Sequence, residues 1–289
     1  MRIIFSRKGF DSEYGGVPSP ILPNGIPLSL PIPTEHGPTT YQDITTPWGN
    51  MGDIVHTLTQ GRIDRNHYAH LDPDIDPRSL SIRPDGWVPS FGQELAAQSH
   101  LAGQNVGPGD IFLFFGWFRP TEIHNNALRY IPKTQVVHQL FGWFQIDQVL
   151  PIGDTLDEKR TQYQHIHQHP HLHAHGGKMN TIYTATPTLS LPNHAPIPLP
   201  GAGIFPGTSN HQLSVPNQSK RSLWTLPHAF HPMHGRSMSY HQNPDRWTEI
   251  SSTQCTLQSV AKGQEFVYNT HNHPTIIQWI HGLLPNHQI

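Results

Sequence analysis

The longest apolar runs lie in the middle of the chain. Ile111–Phe118 is almost wholly apolar and rich in aromatics. Its length and its Pro/Gly flanks predict a strand buried on both faces rather than a helix. Residues 136–150 form a second run of the same kind, and each run carries the tetrapeptide Phe-Gly-Trp-Phe, at 115–118 and 141–144. The two are expected to pair as a central scaffold, their glycines marking bulges or close backbone approach. Residues 119–133 between them read as a loop.

Shorter elements surround this pair. Arg2–Phe5 predicts a first strand. Pro23-Asn24-Gly25 is a turn at the tip of a hairpin. Residues 52–59 predict a short helix, and 91–102 a longer one with Ser90 as its N-cap, because Phe91, Leu95 and Ala102 fall at helical spacing. Gly107-Pro108-Gly109-Asp110 is a turn. Residues 181–186 and the start at Gly263–Val267 read as strands. Residues 275–284 predict a closing helix, begun by Asn272 or His273, with Pro274 near its first turn and Ile276, Ile280 and Leu283 as its buried stripe.

The 29 prolines argue against long helices and for many ordered loops. The fold class expected is α+β and mostly β, a mixed or antiparallel sheet with long Pro-rich loops and few helices. No linker divides the 289 residues, so one domain, 1–289, is expected. A Gly-Asp turn, an aromatic strand and an apolar strand ending in Ile-Asp-Gln-Val also resemble a PUA-like barrel, a candidate for the core. The one cysteine, Cys255, permits no internal disulfide. No signal peptide or membrane span is visible, so a cytoplasmic protein is expected. With 18 basic and 20 acidic residues, the chain lacks the basic balance usual in proteins that coat duplex DNA. Any recognition of a nucleotide should be local.

Histidine is the loudest chemical signal. His165, His167, His169, His171, His173 and His175 occupy alternate positions. In extended backbone such side chains share one face, about 6.6 Å apart, and two imidazoles so placed close on one metal ion. A solvated His/Gln-rich loop is the competing reading. The segment His70-Leu71-Asp72-Pro73-Asp74 offers further ligands for iron, zinc or manganese, against a reading of Asp72 and Asp74 as turn residues. The loop Ser6–Gly16, with Arg7, Lys8 and Asp11 after a strand, suits an anionic group or is an ordinary charged loop. Glu265 is a candidate general base if it points inward. No serine nucleophile elbow is present, and Cys255 lacks a supporting pattern.

Several of these segments together resemble one family. They are Ser6-Arg7-Lys8-Gly9-Phe10-Asp11, Gly15-Gly16, Pro18–Ile21, Ser29–Pro33, His70–Asp74, Gly109–Arg119, His169-Pro170-His171 and Gly263–Val267. They are similar to the third nucleotide modification associated domain family, over about residues 1–270. The resemblance implies work alongside enzymes that modify nucleic-acid bases. It also places Arg7, Lys8, Asp11, His70, Asp72, Asp74, His169, His171 and Glu265 inside motif segments, and leaves the other histidines of the run as elaboration. The function expected is a metal-dependent enzyme acting on a nucleotide or nucleic-acid base. His169 and His171 bind a divalent transition metal with His70 and Asp72, Arg7, Lys8 and Asp11 hold the substrate, and Glu265 and Asp74 serve catalysis. The alternatives are a non-catalytic reader of modified bases, and a metalloenzyme for another small molecule or peptide.

Overall fold

The computed structural model describes residues 1–173, 177–234, 236–261 and 263–285. His175, the last of the alternating histidines, lies outside the described residues. The chain is α+β and mostly β. Six strands form the path of the main sheet: β1 (Arg2–Arg7), β2 (Ser90–Gln93), β3 (Ile111–His124), β4 (Val137–Pro151), β5 (Thr181–Ala185) and β6 (Glu265–Asn269). Their order is β6-β1-β3-β4-β5-β2, parallel between β1 and β3 and antiparallel elsewhere. Three short strands, Ser19–Ile21, Ala127–Tyr130 and Ala202–Ile204, extend it. The helices are α1 (Met51–Leu58), α2 (Leu95–Gly103), α3 (Leu156–Gln162) and α4 (Pro274–Leu283).

The aromatic runs pair as β3 and β4, in register from Val137↔Phe118 to Gln145↔Ile111, with a bulge between Leu140 and Gly142. Both glycines mark close approach. A Cβ on Gly116 would meet the Lys8 carbonyl at 2.8 Å, and one on Gly142 the Gly203 carbonyl at 2.9 Å. Alternation sends the aromatics to two faces. Phe112, Phe114 and Phe144 join Ile4, Phe91, Tyr183 and Val267 in one core. Phe115 joins Phe5, Trp224, Phe266 and Ile276 in the other, beneath α4 and the three-stranded sheet Leu223–Pro227, Gln254–Gln258 and Trp247–Glu249.

Four expectations are corrected. Residues 90–93 are strand rather than the first turn of a helix, and α2 begins at Leu95 with Glu94 as its cap. Phe91 stacks on Tyr183 of β5, and that burial outweighs the helical spacing. Residues 119–133 are not one loop, since β3 runs on to His124 and turns back through Ala127–Tyr130. The histidine run is not extended. Short 3-10 turns at Gln164–Ile166 and Pro170–Leu172 fold it, the second capped by the His169 ring. Finally, the sheet curls but does not close as a PUA-like barrel. Among the described residues no backbone ladder joins the edges β2 and β6; Gln93 Nε2 donates across them to Glu265 Oε1. The outer edge of β2 is already taken: Asp74 and Ser90 exchange two backbone hydrogen bonds, 2.9 and 3.0 Å, and the Gly92 N–H donates to Asp72 Oδ1 at 2.8 Å. No donor of β2 is left for β6. Among the described residues, no helix is long and apolar enough to cross a membrane.

Candidate functional site

The curl brings together segments from both ends of the chain. His70 ends the strand Tyr68–His70, which is pinned to Ile32–Thr34. Two residues on, the segment Asp72–Asp74 lies along the edge of β2. The 3-10 turn after His169 turns His169 and His171 inward, where both are buried. Their ring centroids are 5.5 Å apart, and the His70 ring lies 5.3 Å from that of His171.

The carboxylate of Asp72 sits at the centre of the group, its side chain 4% exposed. Its two oxygens have different tasks. Oδ1 accepts the Gly92 N–H and lies 3.4 Å from His169 Nε2. Oδ2 faces His70 Nε2 at 3.9 Å and His171 Nε2 at 3.8 Å. One ligand atom each from His70, Asp72 and His171 falls within 4.8 Å of the others. The His70 side chain is 22% exposed, which leaves the cluster open to solvent on that side.

Hydrogen bonding fixes the tautomers. Asn180 donates to the His171 carbonyl through Nδ2 (2.8 Å), so its Oδ1 accepts from His171 Nδ1 (2.8 Å). In the neutral ring, the lone pair of His171 Nε2 then points at Asp72 Oδ2. His169 is arranged the other way. Its Nδ1 accepts the His171 backbone N–H at 3.2 Å, leaving the proton on Nε2, which is buried without a hydrogen-bond partner.

Burial pulls His171 down to about 3 and His70 to about 4, against the opposing charge of Asp72. Both rings are therefore neutral at neutral pH, the form that ligates metals. Burial alone would push Asp72 up. The adjoining His169, Lys8 and His171 outweigh it and hold the carboxyl well below the usual range.

Lys8 and Glu265 form a buried ion pair near the cluster. Lys8 follows β1 directly, its N–H donating to the Phe115 carbonyl at 2.9 Å, and its side chain falls on the same face as that of Ser6; Glu265 is the first residue of β6, opposite Ser6. Glu265 accepts from Ser6 Oγ at 3.0 Å and lies 3.5 Å from Lys8 Nζ. Its Oε2 is buried with no partner, and burial pushes its carboxyl up despite Lys8, Ser6 and Gln93. The Lys8 ammonium rests 4.4 Å above the Phe91 ring, and its charge reaches both Asp72 and His70.

Three other expected site residues stand elsewhere. Asp74 is held by Arg83 through two bonds of 2.6 and 2.8 Å and by the Trp87 indole at 3.3 Å. Asp11 closes its own loop, accepting from the backbone of Glu13 and Tyr14. Arg7 points to the sheet face opposite Lys8, as strand alternation requires. Outside the cluster, His167 and His173 bond backbone carbonyls. Sequence reasoning missed Gly92, Phe91, Gln93 and Asn180 as parts of the site. Only Gly92 carried a usable signal, since a glycine within a strand marks close approach.

That approach is tight. A Cβ on Gly92 would lie 2.3 Å from His171 Cδ2 and 2.7 Å from its Nε2. Gly92→Ala is expected to push the imidazole off Asp72 and destabilise the fold by about 1–3 kcal/mol, the usual cost of overpacking. Urea unfolding monitored by circular dichroism measures this. An unchanged midpoint would show that the ring is free to move.

Fold and cluster together define an α+β protein with a His/Asp group beside a buried Lys–Glu pair. The chain matches the model of the family described as nucleotide modification associated domain 3 over residues 2–269, and it belongs to that family. No curated protein and no solved structure matches it.

Proposed function

We propose that the protein is a metal-dependent enzyme that modifies a nucleotide or a nucleic-acid base, with His70, Asp72 and His171 as the metal ligands. The observation that carries this is the His171 lone pair, aimed at the free oxygen of a buried carboxylate. Two electron-rich atoms facing each other repel, and a cation between them turns the repulsion into two bonds. The distances fit. Ligand atoms on a tetrahedral ion with bonds of about 2.1 Å stand roughly 3.4 Å apart, so the separations of 3.8 and 3.9 Å need to close by only a few tenths of an ångström. Two nitrogens and one carboxylate oxygen suit iron, zinc or manganese. His169 serves Asp72 from the far side, presenting its N–H toward Oδ1 and leaving Oδ2 for the ion.

A divalent ion held there supplies Lewis acidity and lowers the pKa of bound water. The chain's own residues do the rest. Glu265, with a raised pKa and one oxygen unpartnered, takes or gives a proton at Oε2. Lys8 holds positive charge between Glu265 and Asp72. The half-open His70 side admits the substrate, and the family description supports a nucleotide as its class.

The test is elemental analysis of untagged protein together with mass analysis of nucleosides from treated DNA, RNA and free nucleotides. About one equivalent of a transition metal is expected. Glu265→Gln keeps the Gln93 and Ser6 side of the pocket filled. It should retain the metal while lowering turnover by about 10²-fold or more. Metal-free wild-type protein would overturn the assignment.

A further inference from the structure

On the sheet face opposite Lys8, at the same end of β1, two buried hydrogen-bond donors lack an acceptor among the described residues, and two further donors stand beside them. Arg7 pairs in register with Phe115, Trp117 lies two residues further along β3, and His138 of β4 stands opposite Trp117. Adjacent strands are about 4.8 Å apart, so these side chains form one patch. The guanidinium of Arg221 lies over the Trp117 ring, 4.9 Å from its centroid.

Arg7 Nη2 bonds the carbonyls of Ala261 and Gly263, but its Nε is buried without a partner among the described residues. The Trp117 indole N–H is likewise buried and unpaired. His138 Nδ1 accepts the Trp224 indole N–H at 3.0 Å, so its own proton sits on Nε2. No described residue takes that proton or the Arg221 N–H groups. Asp11 is the acid facing Arg7. It forms no salt bridge with it among the described residues, and one of its oxygens closes the Asp11–Tyr14 turn. Buried polar groups are nearly always satisfied, and unpaired ones point to an unseen partner. The two buried donors, flanked by His138 Nε2 and the exposed Arg221 guanidinium, suit an acceptor with several oxygens and negative charge.

We propose that Arg7, Trp117, His138 and Arg221 form a phosphate-binding site that anchors the substrate outside the metal pocket. As a substrate anchor it rests on the nucleotide reading given above. Arg7 and Lys8 are consecutive but point to opposite faces of β1. One mononucleotide does not reach both, which favours a phosphodiester chain of several nucleotides. The anchor is local, and it needs no broad basic surface on a chain of net charge −2.

Titration calorimetry of the full chain with inorganic phosphate, a nucleoside 5′-monophosphate and a single-stranded oligonucleotide tests this. Arg221→Ala removes an exposed side chain, and Trp117→Phe keeps the ring while deleting the indole N–H, so both variants should fold. Each should weaken oligonucleotide binding by about tenfold. Arg221→Ala should also lower the slope of log affinity against log salt by about one, a change that a purely structural role does not produce. Loss with the oligonucleotide alone identifies a backbone phosphodiester. Loss with all three probes identifies any phosphoryl group, and either result supports the site. Wild-type affinity and salt slope in both variants, or no phosphate-dependent binding by the wild type, would overturn it. Phosphate binding that needs Arg221, with no binding of either nucleotide probe, would retain the anion site and sink the nucleotide reading instead.

Discussion

Asp72→Ala is expected to leave the protein without bound metal and without measurable turnover. Oδ2 is the only anionic ligand atom in the proposed set, standing 3.8 Å from His171 Nε2 and 3.9 Å from His70 Nε2. Two neutral imidazoles alone hold a divalent ion weakly. Losing a group that merely orients a ligand costs about 10–100-fold in affinity, and losing the central ligand should exceed that. The change also strips the Gly92 N–H of its acceptor, at about 1–3 kcal/mol.

The pH dependence has a definite sign. The folded protein holds Asp72 below the ordinary carboxylate range. Its contribution to stability is therefore complete at neutral pH. It fades as pH falls below about 5, where an unfolded aspartate begins to protonate, and is gone once the folded carboxyl is protonated too. Elemental analysis and thermal unfolding with and without a chelator read the result. The wild-type melting temperature should fall with chelator, while that of Asp72→Ala should not respond. One equivalent of metal in the variant would remove Asp72 from the ligand set.

Phe91→Ala should carry the largest cost in stability, about 3–5 kcal/mol. The ring lies 4.8 Å from Phe112, 5.2 Å from Phe114, 5.8 Å from Tyr183 and 6.4 Å from Phe144 between centroids. It is fully buried, and few neighbours can collapse into the space of a whole ring. It is also the floor beneath Lys8, so its removal frees the ammonium that faces Glu265. Phe91→Leu separates the two roles, since it restores most of the volume without the aromatic face. Urea denaturation should place the leucine variant between wild type and alanine. A loss below about 1 kcal/mol in the alanine variant would show that the surrounding rings repack.

The sequence shows the scaffold well and the site in fragments. Strands β3 and β4 are legible because burial on both faces leaves a continuous apolar run with no other reading at that length. β2 is hidden because four residues, Ser90–Gln93, are too few for alternation to register, and Phe91 and Leu95 mimic a helical stripe. The alternating histidines announce ligand chemistry, but of the described ones in that run only His169 and His171 face inward. Which two depends on Pro170 and on the His169 ring capping the next turn. The Lys8–Glu265 pair joins residues from opposite ends of the chain through the ladder of β1 and β6, a pairing that no local pattern encodes. Arg7 and Lys8 read as one cationic dipeptide, yet strand alternation assigns them to separate surfaces.

The segment that carries Asp72 into place also shields an open sheet border. By exchanging backbone bonds with Ser90 and receiving the Gly92 N–H, it occupies a row of groups that another chain would otherwise be able to extend. The geometry of the proposed ligand and the cover of that sheet border are thus vested in the same three residues. Selection for one cannot loosen that stretch without endangering the other, so the stretch is a poor place for the protein to drift and a risky one to engineer.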